Sequence, residues 1–140
     1  MSCPFCLNEN KNLEDLILFS TENTICILSL TYVKEGHLLV IPKKHIKTLR
    51  ALNNEEYDDF YNSIQKAMNM LNKKFNAQEI LLYSKDGPSE NKTVEHAHIH
   101  LIPIRKDESL PPTYPLDTNS GFERKKLTKS KMIELKKFLK

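Results

Sequence analysis

A chain of 140 residues, 39% hydrophobic and 28% charged and without a long apolar run, has the size of one domain and the composition of a folded soluble protein, not of a disordered chain or a bilayer-spanning one. Net charge is +3, yet residues 122–140 hold eight Lys or Arg against Glu123 and Glu134, which makes that tail +6 and leaves −3 for residues 1–121. The basic tail has no aromatic platform or nucleic-acid motif beside it, so it reads as a solvated helix face, and neither nucleic acid nor membrane is an expected partner.

Met1-Ser2-Cys3-Pro4-Phe5-Cys6 lacks the basic start and apolar stretch of a signal peptide, so a cytoplasmic setting with reduced cysteines is expected. Residues 24–30 and 37–41 are apolar, with Glu35-Gly36 between them as a turn signal, and read as a β-hairpin with Cys26 in its core. Asn53 or Asn54 then caps a helix. Glu55 and Glu56 lie in its first turn, and apolar residues recur at Tyr57, Phe60, Tyr61, Ile64, Met68, Leu71 and Phe75. Residues 79–84 read as a strand, 85–92 as a loop and 93–104 as a second strand, where Pro103 argues for an end or an edge. Residues 105–127 carry prolines and turn formers without periodicity and mark a long irregular surface segment. Thr128 caps a final helix over 128–140, with Met132, Leu135 and Leu139 in one stripe. The expected fold is α+β over 1–140 as a single domain: a central antiparallel sheet, a long helix packed on it, and a C-terminal helix.

All five histidines fall in two short stretches, His37 and His45 in one, His96, His98 and His100 in the other. On a strand, side chains at i, i+2 and i+4 share a face, so the three alternating histidines are expected to form a row with rings about 7 Å apart, and Ala97, Ile99 and Leu101 take the other face. Such a row can bind a metal, shuttle protons or attack an electrophile, and spacing alone does not choose. Cys3-Pro4-Phe5-Cys6 is a Cys-x-x-Cys pair, and paired thiolates with two histidines make a closed tetrahedral zinc site.

His96-Ala97-His98-Ile99-His100-Leu101-Ile102 resembles the signature of the histidine triad family, His-x-His-x-His followed by two apolar residues. The run from Gly36 through His45 is similar to that family's first conserved block. Asp86-Gly87-Pro88, Thr93-Val94 and Pro103 are similar to its fragile histidine triad branch, which acts on dinucleoside polyphosphates. The resemblance covers about residues 3–104. It implies that His98 attacks the α-phosphorus to form a nucleotidyl-histidine intermediate that water releases. A neutral imidazole suits that task, because it is nucleophilic near pH 7 and its P–N bond stays labile. The implied catalytic group is completed by His100 holding charge on the phosphoryl oxygens, Thr93 near the leaving group, His37 orienting the His98 ring, and His96.

Bacterial members with the N-terminal cysteine pair bind zinc, which implies Cys3, Cys6, His45 and His96 as ligands of a structural ion; no organic cofactor is expected. Four residues depart from the pattern. Ser29 stands where the family has Asp or Asn for the ribose hydroxyls, Asn91-Lys92 replaces Gly-Gln, and Lys85 replaces a polar amide. Ser29, Lys85 and Lys92 are the candidate substrate contacts, the two lysines favouring polyphosphate substrates. The resemblance implies a homodimeric hydrolase that cleaves dinucleoside polyphosphates or nucleoside phosphoramidates to a nucleoside monophosphate. The alternatives are a nucleotidyltransferase using the same intermediate, or a nucleotide- or zinc-binding module with little turnover.

Overall fold

The computed structural model describes residues 3–87, 95–108 and 124–140. The chain begins with a helical turn α1, Leu13–Leu16, and three strands, β1 (Ile17–Ser20), β2 (Thr24–Leu28) and β3 (Thr31–Tyr32). Strand β4 (Leu38–Pro42) leads through a 3₁₀ turn at Leu49–Ala51 to the long helix α2 (Asn54–Phe75). Strands β5 (Glu79–Tyr83), β6 (Ile99–Ile104) and β7 (Lys125–Lys126) and helix α3 (Lys129–Leu139) follow. Five strands form one antiparallel sheet in the order β1-β2-β4-β6-β5, and β3 pairs with β7 in a separate ladder. The protein is therefore α+β, as expected, although β1, α1 and the β3–β7 ladder are additions that no periodicity announced.

β2 and β4 pair from Thr24↔Pro42 to Leu28↔Leu38, and every residue of both is buried. Burial on both faces explains their continuous apolar sequence in place of alternation. α2 packs across β2, β4 and β6, burying Phe60, Ile64, Ala67, Leu71 and Phe75, a stripe spaced three and four residues apart. Tyr57 and Tyr61, expected on that stripe, are more than half exposed: Tyr57 lies in the first turn of α2 and Tyr61 about 80° of helix rotation off the stripe's centre. Asn53 is the cap: its side chain accepts from the Glu56 N–H at 2.8 Å while the Glu56 carboxylate accepts from the Asn53 N–H at 2.9 Å. Gly36 sits at φ 90° in the chain before β4, and a Cβ there would lie 2.8 Å from Pro103 Cγ, so the turn demands glycine twice over.

The expected strand over 93–104 is shorter. Among its described residues only Ile99–Ile104 are strand, and His96 and His98 precede it. The β4–β6 ladder runs only from Leu38↔Leu101 to Val40↔Ile99, and just before Ile99 the chain turns to bond the connection after β4, with the Ala97 N–H donating to the Ile46 carbonyl at 2.7 Å. Pro103 lies past the β4 ladder, where β6 has a partner on one side only.

Of the irregular segment expected over 105–127, residues 109–123 lie outside the described part, and its end is regular. Lys125 and Lys126 pair with Tyr32 and Thr31, and the Leu127 N–H donates to the Leu30 carbonyl at 2.7 Å. α3 starts on Thr128, which accepts from the Lys131 N–H at 3.1 Å, and docks through buried Leu135 and Leu139, with Met132 half-buried beside them. Cys26 is fully buried in β2. Among the described residues no helix is long and apolar enough to cross a membrane.

Leu71 is fully buried at the helix–sheet contact, so Leu71→Ala is expected to lower the unfolding free energy by about 2–5 kcal/mol. Tyr61→Ala, on the exposed face, is expected to change it by about 0.5 kcal/mol or less. Urea midpoints for the two variants check this assignment of faces.

Candidate functional site

Cross-strand register brings Tyr83 of β5, His100 of β6, Leu39 of β4 and Ile27 of β2 side by side. Tyr83 stacks on His100 with ring centroids 4.4 Å apart and planes 4° from parallel. His37 is 1% exposed and places its Nε2 2.9 Å from His100 Nδ1. On its other nitrogen, His37 Nδ1 accepts from the Val33 N–H at 3.1 Å. A backbone N–H can only donate, so His37 must carry its proton on Nε2, donate it to His100 Nδ1, and leave the His100 proton on Nε2. That Nε2 is buried and has no hydrogen-bond partner among the described residues. It is a donor without an acceptor.

The same logic sets the tautomer of His98. Its Nδ1 lies 2.7 Å from the His96 carbonyl oxygen, which can only accept, so the proton is on Nδ1 and the lone pair on Nε2. The ring is half-buried, edge-on to Phe5 at 4.9 Å and to His100 at 5.0 Å between centroids. The Ser84 hydroxyl donates to the His98 carbonyl at 2.6 Å and holds the backbone beneath it.

His98 and His100 line one end of a cavity of about 230 Å³ whose apolar walls include Phe5, Leu13, Leu16, Ile27 and Leu39 and whose polar lining includes Ser29, Thr31 and Arg124. Burial, then the nearby Arg124 and His98, push His37 down to about 3. Burial, then His37, His98 and Arg124, push His100 down to about 2. Both rings are neutral at any physiological pH. The end of the cavity thus presents an unprotonated ring nitrogen beside an N–H donor, an arrangement suited to nucleophilic attack on an electrophile whose oxygen gains negative charge.

His96 faces elsewhere. It is fully buried, its Nε2–H donates to the Pro42 carbonyl at 2.7 Å, and its Nδ1 points at Cys3 Sγ (3.4 Å) and Cys6 Sγ (3.5 Å). His45 Nδ1 lies 3.1 Å from Cys6 Sγ. Ligand atoms of Cys3, Cys6, His45 and His96 all fall within 4.8 Å of one another. A tetrahedral Zn²⁺ with these donors has ligand–ligand edges of about 3.3–3.8 Å, so the cluster has the dimensions and the donor set for that ion. The Pro42 bond fixes the His96 tautomer that leaves Nδ1 free to coordinate. Burial and the adjacent Cys3 raise the Cys6 thiol to about 12, and a bound cation is what reverses that preference for the neutral form.

The row of three equivalent rings is therefore corrected. Because the chain before Ile99 leaves the ladder, His96 turns toward the cysteines while His98 and His100 turn toward the cavity, and His96 meets the nucleophile candidate through its carbonyl alone. His37, expected beside His98, touches His100 instead, since β4 follows directly on His37 and pairs with the His100 strand. Ser29 lines the cavity, and its hydroxyl donates to the Thr31 carbonyl at 2.6 Å. Lys85 is exposed and is not among the residues lining the cavity. Lys92 and Thr93 lie outside the described residues. Asp86 accepts from the Thr48 hydroxyl and the Leu49 N–H at 2.6 and 2.7 Å, so it secures the loop entering the site. Sequence reading missed Phe5, Tyr83 and Arg124. Tyr83 was visible only as one position of a strand, and Arg124 reaches the cavity through a ladder with no sequence signal.

A HIT domain family model matches residues 10–107. The chain is 37% identical over 90 residues to a bis(5'-adenosyl)-triphosphatase of Dictyostelium discoideum, covering 64% of this chain and 60% of that protein. It is 30% identical over 90 residues to an asymmetrical bis(5'-nucleosyl)-tetraphosphatase of Schizosaccharomyces pombe, covering 64% of this chain and 50% of that one. The chain thus spans less than two-thirds of the length of these curated relatives. A Zn-bound histidine triad family protein from Mycobacterium smegmatis shares the fold with a TM-score of 0.71 over 99% of this chain and 94% of that one, at 24% identity.

The neutral pair predicts a pH dependence of stability. Folded values below the ordinary 6.5 mean that unfolding takes up protons between about pH 3 and 6.5, so the pair's contribution is complete above pH 6.5 and is lost as pH falls. His37→Asn is expected to flatten the fall in urea-unfolding free energy between pH 7 and 4.5 by up to about 1.4 kcal/mol per pH unit, one proton's worth. Identical slopes in both proteins would contradict the neutral assignment.

Proposed function

The chain belongs to the HIT domain family, and from that premise we propose that it hydrolyses dinucleoside polyphosphates or nucleoside phosphoramidates to a nucleoside monophosphate, with His98 as nucleophile. One observation carries this reading: the His98 Nδ1–H bond to the His96 carbonyl, which leaves Nε2 unprotonated on a ring lining the cavity. In the proposed first step His98 Nε2 forms a bond to phosphorus as the bond to the leaving oxygen or nitrogen breaks. Positive charge arising on the imidazole is met at Nδ1–H by the His96 carbonyl, and negative charge on a phosphoryl oxygen is met by the His100 Nε2–H. Water then cleaves the labile P–N bond and frees His98. The HIT resemblance assigns Thr93 to the leaving group, whereas Lys92 and Lys85, which depart from the family pattern, are proposed to add positive charge near the flanking phosphates.

The apolar cavity suits a nucleoside. Ser29, whose proton is given to Thr31, offers lone pairs and no proton to a ribose hydroxyl, so it would act as an acceptor only. Cys3, Cys6, His45 and His96 are proposed to hold zinc as a structural ion. Bound there it ties the N-terminal segment to His96, whose backbone orients His98. A homodimer and a cytoplasmic setting belong to the same reading and rest on the family resemblance.

Incubation with diadenosine triphosphate and with adenosine phosphoramidate, followed by phosphorus NMR, tests the reaction. Release of AMP by wild type and a loss of about a thousandfold or more in His98→Ala are expected. Equal turnover by the two proteins would remove His98 as nucleophile, and products carrying an acceptor other than water would replace hydrolysis by transfer. For the metal, protein purified without added zinc is expected to carry about one equivalent by elemental analysis, and Cys6→Ser to lose it along with several degrees of melting temperature. Less than about one-tenth equivalent in wild type overturns the structural zinc.

A further inference from the structure

We propose that Arg124 binds the substrate's phosphate charge at this site, as a cation that the neutral imidazoles do not supply, and that the β3–β7 ladder exists to deliver it. The proposal rests on the nucleotide-phosphate reading above and adds to it a residue beyond the stretch the family model matches, 10–107.

The charge balance of the cavity leads to it. A phosphoanhydride brings at least two negative charges, and moving them from water into a cavity walled by aliphatic side chains is costly without compensating charge. His37 and His100 are held neutral, and a nucleophilic His98 must be neutral as well. Among the described residues lining the cavity, Arg124 alone carries a formal charge. It has no carboxylate partner among the described residues.

Its position is built by the fold. Lys125 and Lys126 pair with β3, Leu127 is buried, and α3 is anchored behind them by Leu135 and Leu139, which sets the Arg124 backbone at the rim of the cavity. The guanidinium Nη1 donates to Thr31 Oγ1 at 3.4 Å, a long contact that engages one of its five donors. Its charge lies close enough to the Tyr83 hydroxyl, on the ring that stacks on His100, to act on it. Arg124 and His100 thus line one cavity, one offering a charged donor and the other a neutral one. A planar guanidinium matches phosphate oxygens two at a time, which an ammonium does not. The same charge also helps keep His37 and His100 unprotonated, and so keeps the His100 proton on the nitrogen that faces the ligand.

Calorimetric titration of wild type, Arg124→Gln and Arg124→Lys with AMP and with adenosine isolates the phosphate contact. Arg124 is exposed, so both variants are expected to fold, as circular dichroism and melting temperature will show. The expected result is AMP binding weakened about tenfold or more in Arg124→Gln and less in Arg124→Lys, with adenosine binding changed by about twofold at most. Unchanged AMP binding, an equal loss for AMP and adenosine, or wild type that binds AMP no better than adenosine would each overturn the proposal. Hydrolysis of diadenosine triphosphate by wild type is scored separately. Intact hydrolysis with unchanged AMP binding in Arg124→Gln removes the Arg124 contact and leaves the hydrolase, whereas absent hydrolysis with selective loss of AMP does the reverse.

Discussion

A ring nitrogen that faces a carbonyl must donate, and one that faces a backbone N–H must accept; the chemistry of this site follows from those two statements. The His96 carbonyl places a proton on His98 Nδ1 and the lone pair on Nε2. The Val33 N–H starts a second chain, through His37 to His100, which ends on an N–H at the cavity. Two adjacent imidazoles, alike in sequence, thereby become an acceptor and a donor. Neither assignment needs a charged group, since main-chain atoms with no freedom to change role set both.

That arrangement couples the Cys3, Cys6, His45 and His96 cluster to the cavity through a single residue. His96 offers its Nδ1 to the two cysteines, its Nε2–H to Pro42 and its carbonyl to His98. Whatever holds the ring of His96 also holds the peptide that orients His98. An ion in the Cys3, Cys6, His45 and His96 cluster would reach the cavity only by stiffening that peptide.

Burial makes the imidazoles neutral and so leaves a charge deficit at the cavity end, and the C-terminal segment is where a compensating cation appears. A tail with net charge +6 reads as a solvated face, and most of it is one: Lys125, Lys126, Lys129, Lys136, Lys137 and Lys140 are exposed or half-exposed. Arg124 differs from its neighbours only because β7 aligns against β3 beside Ser29 and Thr31.

The sequence by itself determined the α+β class, the capped helix α2, the central hairpin, the helix begun by Thr128 and the family signature, because each rests on local chemistry: periodicity, a capping box, a glycine turn, a run of alternating histidines. It also brought Cys3, Cys6, His45 and His96 together through resemblance. Only the tertiary structure decided which way each histidine faces, since that depends on where the chain leaves the β4–β6 ladder, and strand spacing predicted a uniform row that the Ala97 to Ile46 bond breaks. It alone decided that His37 serves His100, that Tyr83 stacks on that ring, and that Arg124 enters the cavity. Those are contacts between residues far apart in the chain, set by register and packing, and no local pattern encodes them.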